Sequence, residues 1–506
     1  MPISQIKIGA ILSYATLALN NLVGLLYTPF MLRMLGKSEY GLYSIAASVI
    51  AYLTILDLGF GNAIVRYTAK FKAENKREEQ YKMFGMIFLL YCGISIVTLL
   101  IGGILYLNAE KLFDVSLTAS ELDRTKVILL LMIFNLAITF PFSLFSSIIT
   151  AYEQFIFQKT LTIIRIILNT ATMIVLLNIG YKAVAMVVVA TVFNLLTLGI
   201  NLWYCKHYLK IKLIFFKFQW TFLKEVSIYS FWIFLNAIMD CIYWSSGQII
   251  LGAIAGTAVV AVYAIAIQLQ NLYMNFSTAI NGVFLPKMTA LVTKDDNKAV
   301  ISDIFIKIGR IQYCVMALIL SGFILFGQQF INLWAGENYN QAYTIALLFF
   351  IPLTIPLIQN MGIIILQARN QMKFRSLLYF SISIISLALQ IPLAQKYGGI
   401  GCAISVATAL IIGQGLIMNI YYQTKQKIDI VKFWKEILRM SIIPLLLCTI
   451  GYYILLHISL DSVSKLIIGI LCYLSVYLPL FFKFSMNSYE RGLVLKAKSS
   501  LLEKFV

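Results

Sequence analysis

The sequence predicts an all-α polytopic membrane protein. It should carry about fourteen transmembrane helices, arranged as two six-helix lobes related by a parallel internal repeat, plus two extra C-terminal helices. Three observations lead there. The 506 residues are 60% hydrophobic and only 12% charged, with mean hydropathy +0.87, which is more apolar surface than a soluble core hides. The apolar residues fall into runs long enough for a hydrocarbon layer about 30 Å thick. Segments of the first half also return in the second half at a nearly constant offset.

The spans are expected at 8–34, 42–64, 83–107, 127–150, 160–180, 183–205, 227–250, 257–284, 309–333, 343–367, 376–395, 399–422, 440–458 and 464–483. The first two form a hairpin about a short polar turn, Gly36 to Tyr40. Ser13, Thr16, Asn20, Gly24 and Tyr27 recur at helical spacing and share one face of span 1, which Pro29 should bend near its outer end. Asp57, Asn62 and Arg66 close span 2. Lys7 alone precedes span 1, and no small-residue cleavage site follows it, so the first span is expected to stay as a helix.

Leu19-Asn20 and Leu35-Gly36 are answered by Leu235-Asn236 and Leu251-Gly252. Tyr43-Ser44-Ile45-Ala46 is answered by Tyr263-Ala264-Ile265-Ala266, and Ala151, Gln154 and Phe157 by Ala368, Gln371 and Phe374. Ala183-Val184-Ala185 is answered by Gly399-Ile400-Gly401. Six spans per copy is an even number, so both copies start on the same side of the membrane. The organisation read from this is an N-lobe at 1–205, a basic linker at 206–226, a C-lobe at 227–422, and spans 13 and 14 with a basic tail at 423–506.

Orientation follows from the cations. With the N-terminus inside, 31 of the 40 Lys and Arg fall in cytoplasmic segments and 8 outside. That asymmetry places both termini in the cytoplasm and explains the net charge of +19 as a topology device rather than a nucleic-acid surface. The outside loop 108–126 has room for one small helix, the stretch LKIKLIFFKFQW after span 6 should lie along the membrane surface, and so should a helix in the tail 484–506. The seven cysteines, mostly within spans and without a C-x-x-C pair, read as small apolar filler. His207 and His457 suggest neither a metal nor an acyl-transfer site, and no nucleotide-binding, zincin or paired-carboxylate motif occurs, so no cofactor is expected.

The residues that could do work are the polar ones at membrane depth, where each is costly unless it faces protein or water. Asn236, Asp240, Tyr243 and Gly247 form a stripe on span 7, and Gln268, Asn271, Asn275 and Thr278 one on span 8. With Asn20, Tyr27, Asp57 and Asn62 on spans 1 and 2, these rows suit a cavity between two halves; bonding that only glues helices together is the other use of such rows. Among the charges, Asp240 and Arg165 are the most central and could instead form a structural ion pair, while Arg33 and Arg66 lie where snorkelling to headgroups is also open. As binding groups, the arginines suit an anionic head group.

The opening KIGAILSYATLALNNLVGLLYTPFMLRMLGKSEYGLYSI and the following LDLGFGNAIVRYTAKF resemble bacterial Wzx-type flippases of lipid-linked oligosaccharides, the polysaccharide-biosynthesis exporters of the multidrug/oligosaccharidyl-lipid/polysaccharide superfamily. Ile249 to Gly252, Val262-Tyr263, Pro286, and Tyr397 to Gly401 resemble the pattern of that family's second half. The resemblance implies a lumen lined by spans 1, 2, 7 and 8, alternating access, and an undecaprenyl-pyrophosphate-linked repeat unit moved to the outer leaflet of the inner membrane for O-antigen, capsule or exopolysaccharide assembly. It implies no covalent chemistry. Its partners would be membrane lipids and assembly proteins such as a polymerase or chain-length regulator. Arg33, Arg66 and Arg165 are the positions that could meet the pyrophosphate, and Asp57, Asp240 or Glu153 could couple transport to a proton or sodium gradient. A multidrug or cation extruder on the same fold, and a membrane enzyme acting on lipid-linked sugars, are the competing readings.

Overall fold

The computed structural model describes residues 3–114, 116–215, 220–281, 297–369, 371–458 and 460–502. Every regular element among them is helical. Twelve helical runs are long and apolar enough to cross a membrane. Two of these run 62 and 53 residues, about twice what one crossing needs. Each is broken at a glycine in a conformation that L side chains avoid, Gly36 (φ 74°, ψ 174°) and Gly398 (φ 57°, ψ −135°). Each therefore holds two crossings, which accounts for all fourteen expected spans. The first hairpin turns at Gly36 alone rather than over a five-residue loop, and Pro29 is accommodated inside the helix.

Four elements depart from expectation. Span 2 is not continuous to residue 64. It stops at Thr54, passes through a 3₁₀ turn at Ile55–Asp57 and restarts as Phe60–Ala73, with Leu58 (φ 53°) and Gly59 (φ 72°) left-handed between. Span 7 runs as Trp220–Trp244 and then Ser246–Ile254, interrupted at Ser245. Loop 108–126 holds no helix of its own: the long helix Arg77–Phe113 and the helix Ala119–Ala151 extend into it, the second opened by a capping box of Thr118 and Glu121. Span 9 begins at Lys298, eleven residues before its apolar run.

The duplication is visible in local geometry. Phe157 stacks on Tyr204 at 3.8 Å and Phe374 on Tyr421 at 4.1 Å, each pair 217 residues from its counterpart. Span 6 ends with Tyr208 N–H on the Tyr204 carbonyl (2.9 Å) and Ile211 N–H on that of Cys205 (3.0 Å). Span 12 ends with Lys425 N–H on Tyr421 (2.9 Å) and Ile428 N–H on Tyr422 (3.0 Å), at the same offset. Lys210 (φ 52°) and Lys427 (φ 56°) are the matching left-handed residues. Span 12 also carries a π-helical turn, Ile411–Ile417, whose loosened carbonyls at Gln414 and Gly415 accept from the Asn419 amide at 3.1 and 2.6 Å.

Two compact units result, Met1–Ala264 with Gln390–Gly399, and Ile265–Leu389 with Ile400–Val506. The first is centred on spans 3, 4 and 6, with Tyr91 fully buried and stacked on Phe140. Its basic-aromatic stretch is not free on the membrane surface: Ile214 N–H donates to the Tyr81 carbonyl (3.2 Å), and Ile214 packs on Gly85. In the second unit, spans 13 and 14 bury Met440, Tyr477 and Phe481 and expose most of their remaining apolar side chains, as lipid-facing helices do. The tail helix Ser488–Leu502 does not simply lie on a surface either. Its Glu490 is 3% exposed and takes a two-pronged bond from Arg310 (2.6 and 2.9 Å). Pro286, the 216–219 part of the basic-aromatic stretch and the Thr278 side chain lie outside the described residues.

Candidate functional site

In the first unit the polar row on span 1 is open at Asn20 and Arg33, both exposed, and half-buried at Tyr27. The Tyr27 hydroxyl itself is buried without a hydrogen-bond partner among the described residues. Asp57 sits in the turn that interrupts span 2. Its carboxylate accepts from the Tyr91 hydroxyl (2.8 Å) and from the Gly59 backbone amide at the start of the next helix. An interruption leaves unpaired amides, and a carboxylate beside them is favoured by both hydrogen bonding and the helix dipole. Asn62 and Arg66 follow four residues apart on one face of Phe60–Ala73, both exposed, with the Arg66 guanidinium 5.8 Å from the Tyr67 ring centroid. Arg165 is exposed in the first half of span 5, between exposed Ile164 and Ile167.

Span 7 carries Asn236, half-buried, and Asp240, exposed, on one face. Tyr243 and Gly247 do not continue that row. Tyr243 is buried, the helix breaks at Ser245, and Gly247 packs on Tyr263. Cys241 beside Asp240 packs its thiol on the Ala51 carbonyl (3.3 Å).

Span 8, from Ile265 on, belongs to the second unit and has two polar rows. Gln268 and Asn275 are half-buried and Asn271 is exposed. A second row, at the same spacing and offset by two residues, points into the bundle. There Gln270 reaches the Met274 sulfur, Tyr273 bonds Thr354 (2.7 Å), and Ser277 donates to the Leu357 carbonyl (2.9 Å). The second row is thus bonded within the bundle, while the first row carries the exposed Asn271. Exposed amides and charges on membrane-crossing helices need water or a polar ligand; a charge facing acyl chains would cost about 2.5–3.5 kcal/mol.

Two buried charge clusters escaped the sequence reading. Glu39, 3% exposed, pairs with Arg124 and accepts from the Ala183 amide (3.3 Å), joining the first turns of spans 2, 4 and 6. Arg310, 4% exposed, is held by Glu490, by Glu436 (2.6 Å) and by the Ser485 carbonyl (3.2 Å). Neither cluster has a local sequence signal, because the partners come from distant spans. Among the described residues no group of three or more His, Cys, Asp or Glu is placed to hold a metal, and the seven cysteines are unbridged.

Comparison with known proteins bears on this arrangement. A family model described as polysaccharide biosynthesis protein matches residues 8–292. A Shigella flexneri protein whose name describes it as an O-antigen transporter is 22% identical over 414 residues, covering 80% of this chain and 94% of that one. The structure of the lipid II flippase MurJ in an inward closed conformation superposes with TM-score 0.71 at 17% identity, over 94% of this chain and 99% of MurJ. An inward-facing multidrug resistance MATE family transporter does so with TM-score 0.58 at 14% identity, over 80% and 99%. The fold is the one these transporters share, and the chain belongs to the polysaccharide biosynthesis protein family.

Proposed function

We propose that the protein is a flippase for lipid-linked oligosaccharides. It would carry an undecaprenyl-pyrophosphate-linked repeat unit from the cytoplasmic to the outer leaflet of a bacterial inner membrane by alternating access of two lobes, 1–205 and 227–422. The observation that carries this reading is the set of exposed polar groups on otherwise apolar spans: Asn20, Asn62, Arg66, Arg165, Asp240 and Asn271. A sugar-pyrophosphate head cannot cross hydrocarbon with its hydration intact. Amides and hydroxyls replace that water, arginines offset the phosphate charge, and the polyprenyl tail stays in lipid. The names of the Shigella relative and of MurJ support a lipid-linked sugar as cargo. Three arginines against two aspartates among the candidate residues weigh against a cation extruder. Asp57 and Asp240 are the groups through which an ion gradient would act, and cytoplasmic termini follow from the Lys and Arg distribution.

A deletion strain tests the reading. Lipid-linked repeat units should accumulate on the cytoplasmic leaflet while surface polysaccharide is lost. The wild-type gene should restore export, and a gene carrying Arg66→Ala with Arg165→Ala should restore it at least about tenfold less well. Normal surface polysaccharide in the deletion strain would end the proposal.

A further inference from the structure

Spans 9, 10, 13 and 14 carry very little charge along their length. From 311 to 368 the one charged side chain is Glu337, and from 440 to 482 the charged or imidazole side chains are His457, Asp461 and Lys465. The fold brings these four to one place. Glu337 follows span 9, and the other three bracket the turn from span 13 into span 14. All four are exposed, and all four line a pair of adjoining cavities within the second compact unit.

The two cavities differ in chemistry. One, of about 590 Å³, is polar: Glu337, His457 and Asp461 share its wall with Gln329 and Asn332 from the last turns of span 9. The Gln329 side-chain oxygen is buried without a hydrogen-bond partner among the described residues, which is costly unless a donor reaches it. The other, of about 680 Å³, lies between spans 9, 13 and 14, with walls such as Leu325, Ile450 and Val476 and with His457 and Lys465 at the loop end. Tyr473 on that wall gives its hydroxyl to Ser321 (2.5 Å), so it adds a ring rather than a free polar group. His457, Ile458 and Leu460 belong to both cavities.

The apolar cavity has the depth of one leaflet. Its wall follows span 14 from Lys465 to Val476, about 16 Å of helix, which is half of a hydrocarbon layer about 30 Å thick. Ile450, Ile468 and Val476 are about half exposed or more, so the cavity opens sideways, where acyl chains lie. The charges then select the head group. Two carboxylates stand against one ammonium, and Lys465 already leans on Asp461 (3.5 Å) in an exposed, weak pair. A doubly charged pyrophosphate, or a lipid whose head is only anionic, would meet net repulsion here. A head group with both a phosphate and an ammonium satisfies every partner. Its phosphate accepts from Lys465 and His457, and its ammonium reaches Glu337, Asp461 and the Gln329 oxygen.

We propose that these adjoining cavities bind a phospholipid of phosphatidylethanolamine chemistry from the outer leaflet, one acyl chain between spans 9, 13 and 14 and the ammonium in the polar cavity. The site is separate from the polar rows of spans 1, 2, 7 and 8 and does not depend on what the protein transports. It gives spans 13 and 14, which lie outside the repeat, a lipid-dependent attachment to span 9.

Native mass spectrometry of the full-length protein in detergent tests the site. Palmitoyl-oleoyl phosphatidylethanolamine should be retained as a single adduct at least about tenfold more tightly than phosphatidylglycerol with the same chains. Glu337→Gln with Asp461→Asn, both at exposed positions, should abolish that preference, and Cys472→Trp, which puts an indole on the exposed wall of the apolar cavity, should weaken both lipids. Equal retention of the two lipids by the wild type, or a preference that survives the double substitution, overturns the proposal. In proteoliposomes, phosphatidylethanolamine with a diazirine at the end of one acyl chain should label peptides around Leu447 and Val476. Label confined to other spans overturns the site. Loss of the label on adding undecaprenyl pyrophosphate would show a carrier lipid to be the true occupant and overturns the choice of head group; persistence of the label supports it.

Discussion

At the scale of single residues, the polar groups of spans 1, 2, 7 and 8 were legible because an amide or charge inside an apolar run has few explanations. Their individual roles were not legible. Tyr243 has the spacing of its neighbours but turns inward, and Asp57 acquires its meaning from Tyr91, thirty-four residues away. Removing that hydroxyl with Tyr91→Phe leaves the ring stacked on Phe140 and deletes one bond to the carboxylate. The expected cost is about 1 kcal/mol of thermal stability, with transport falling further because Asp57 loses its orientation. Transport that drops only in proportion to folded protein would assign Asp57 to structure. Arg310 shows the opposite failure. Nothing in the sequence marks it, since its partners Glu436 and Glu490 lie 126 and 180 positions on. Arg310→Met strands two carboxylates, one of them buried, and should cost roughly 3–5 kcal/mol, whereas adding Glu490→Leu and Glu436→Gln should return most of it. A single-site loss below about 1 kcal/mol, measured by thermal unfolding in detergent, would show the cluster to be water-accessible.

Elements were legible where hydrophobic length alone decides, and were misread where backbone conformation decides. Fourteen spans followed from apolar runs. The reversals at Gly36 and Gly398 fall in the gaps expected between spans 1 and 2 and between spans 11 and 12, whereas the interruption at 55–59 inside span 2 did not follow; Pro29, Pro141, Pro444 and Pro479 sit inside helices. Membrane helices tolerate proline because neighbouring groups satisfy the freed carbonyl, whereas a residue at φ 74° needs the absence of a Cβ. The same substitution should therefore act with opposite sign at two glycines. Gly36→Ala has open space around its new methyl yet should lose about 1–3 kcal/mol to backbone strain. Gly103→Ala, also in open space but inside the helix Arg77–Phe113, should be neutral or gain up to about 1 kcal/mol. Equal melting temperatures for the two variants would mean that the hairpin reverses by some other route.

For the whole molecule, the repeat was the most legible feature, and two span ends repeat the same bonds. The sequence offered scattered matches of small apolar residues. The structure supplies two span ends, after Tyr204 and after Tyr421, with the same stacked phenylalanine, the same pair of backbone bonds and a left-handed lysine at the same place. A motif of this kind is also a marker of side. If the copies are parallel, Lys210 and Lys427 must emerge on one face of the membrane; if the second copy were inverted, they would emerge on opposite faces. Six spans per copy predict the parallel arrangement, and the skew of Lys and Arg predicts that this face is cytoplasmic. Fusions truncated after Lys210 and after Lys427 should therefore both give a fluorescent cytoplasmic reporter and an inactive alkaline phosphatase. Fusions after Ser116 and after Glu337 should give active phosphatase. Phosphatase activity at Lys427 but not Lys210 would invert the second copy. Replacing Lys425, Lys427, Lys432 and Lys435 together should weaken the orientation of spans 13 and 14 without disturbing the fusion at Lys210, because charge acts on topology within about 15–20 residues of a span end.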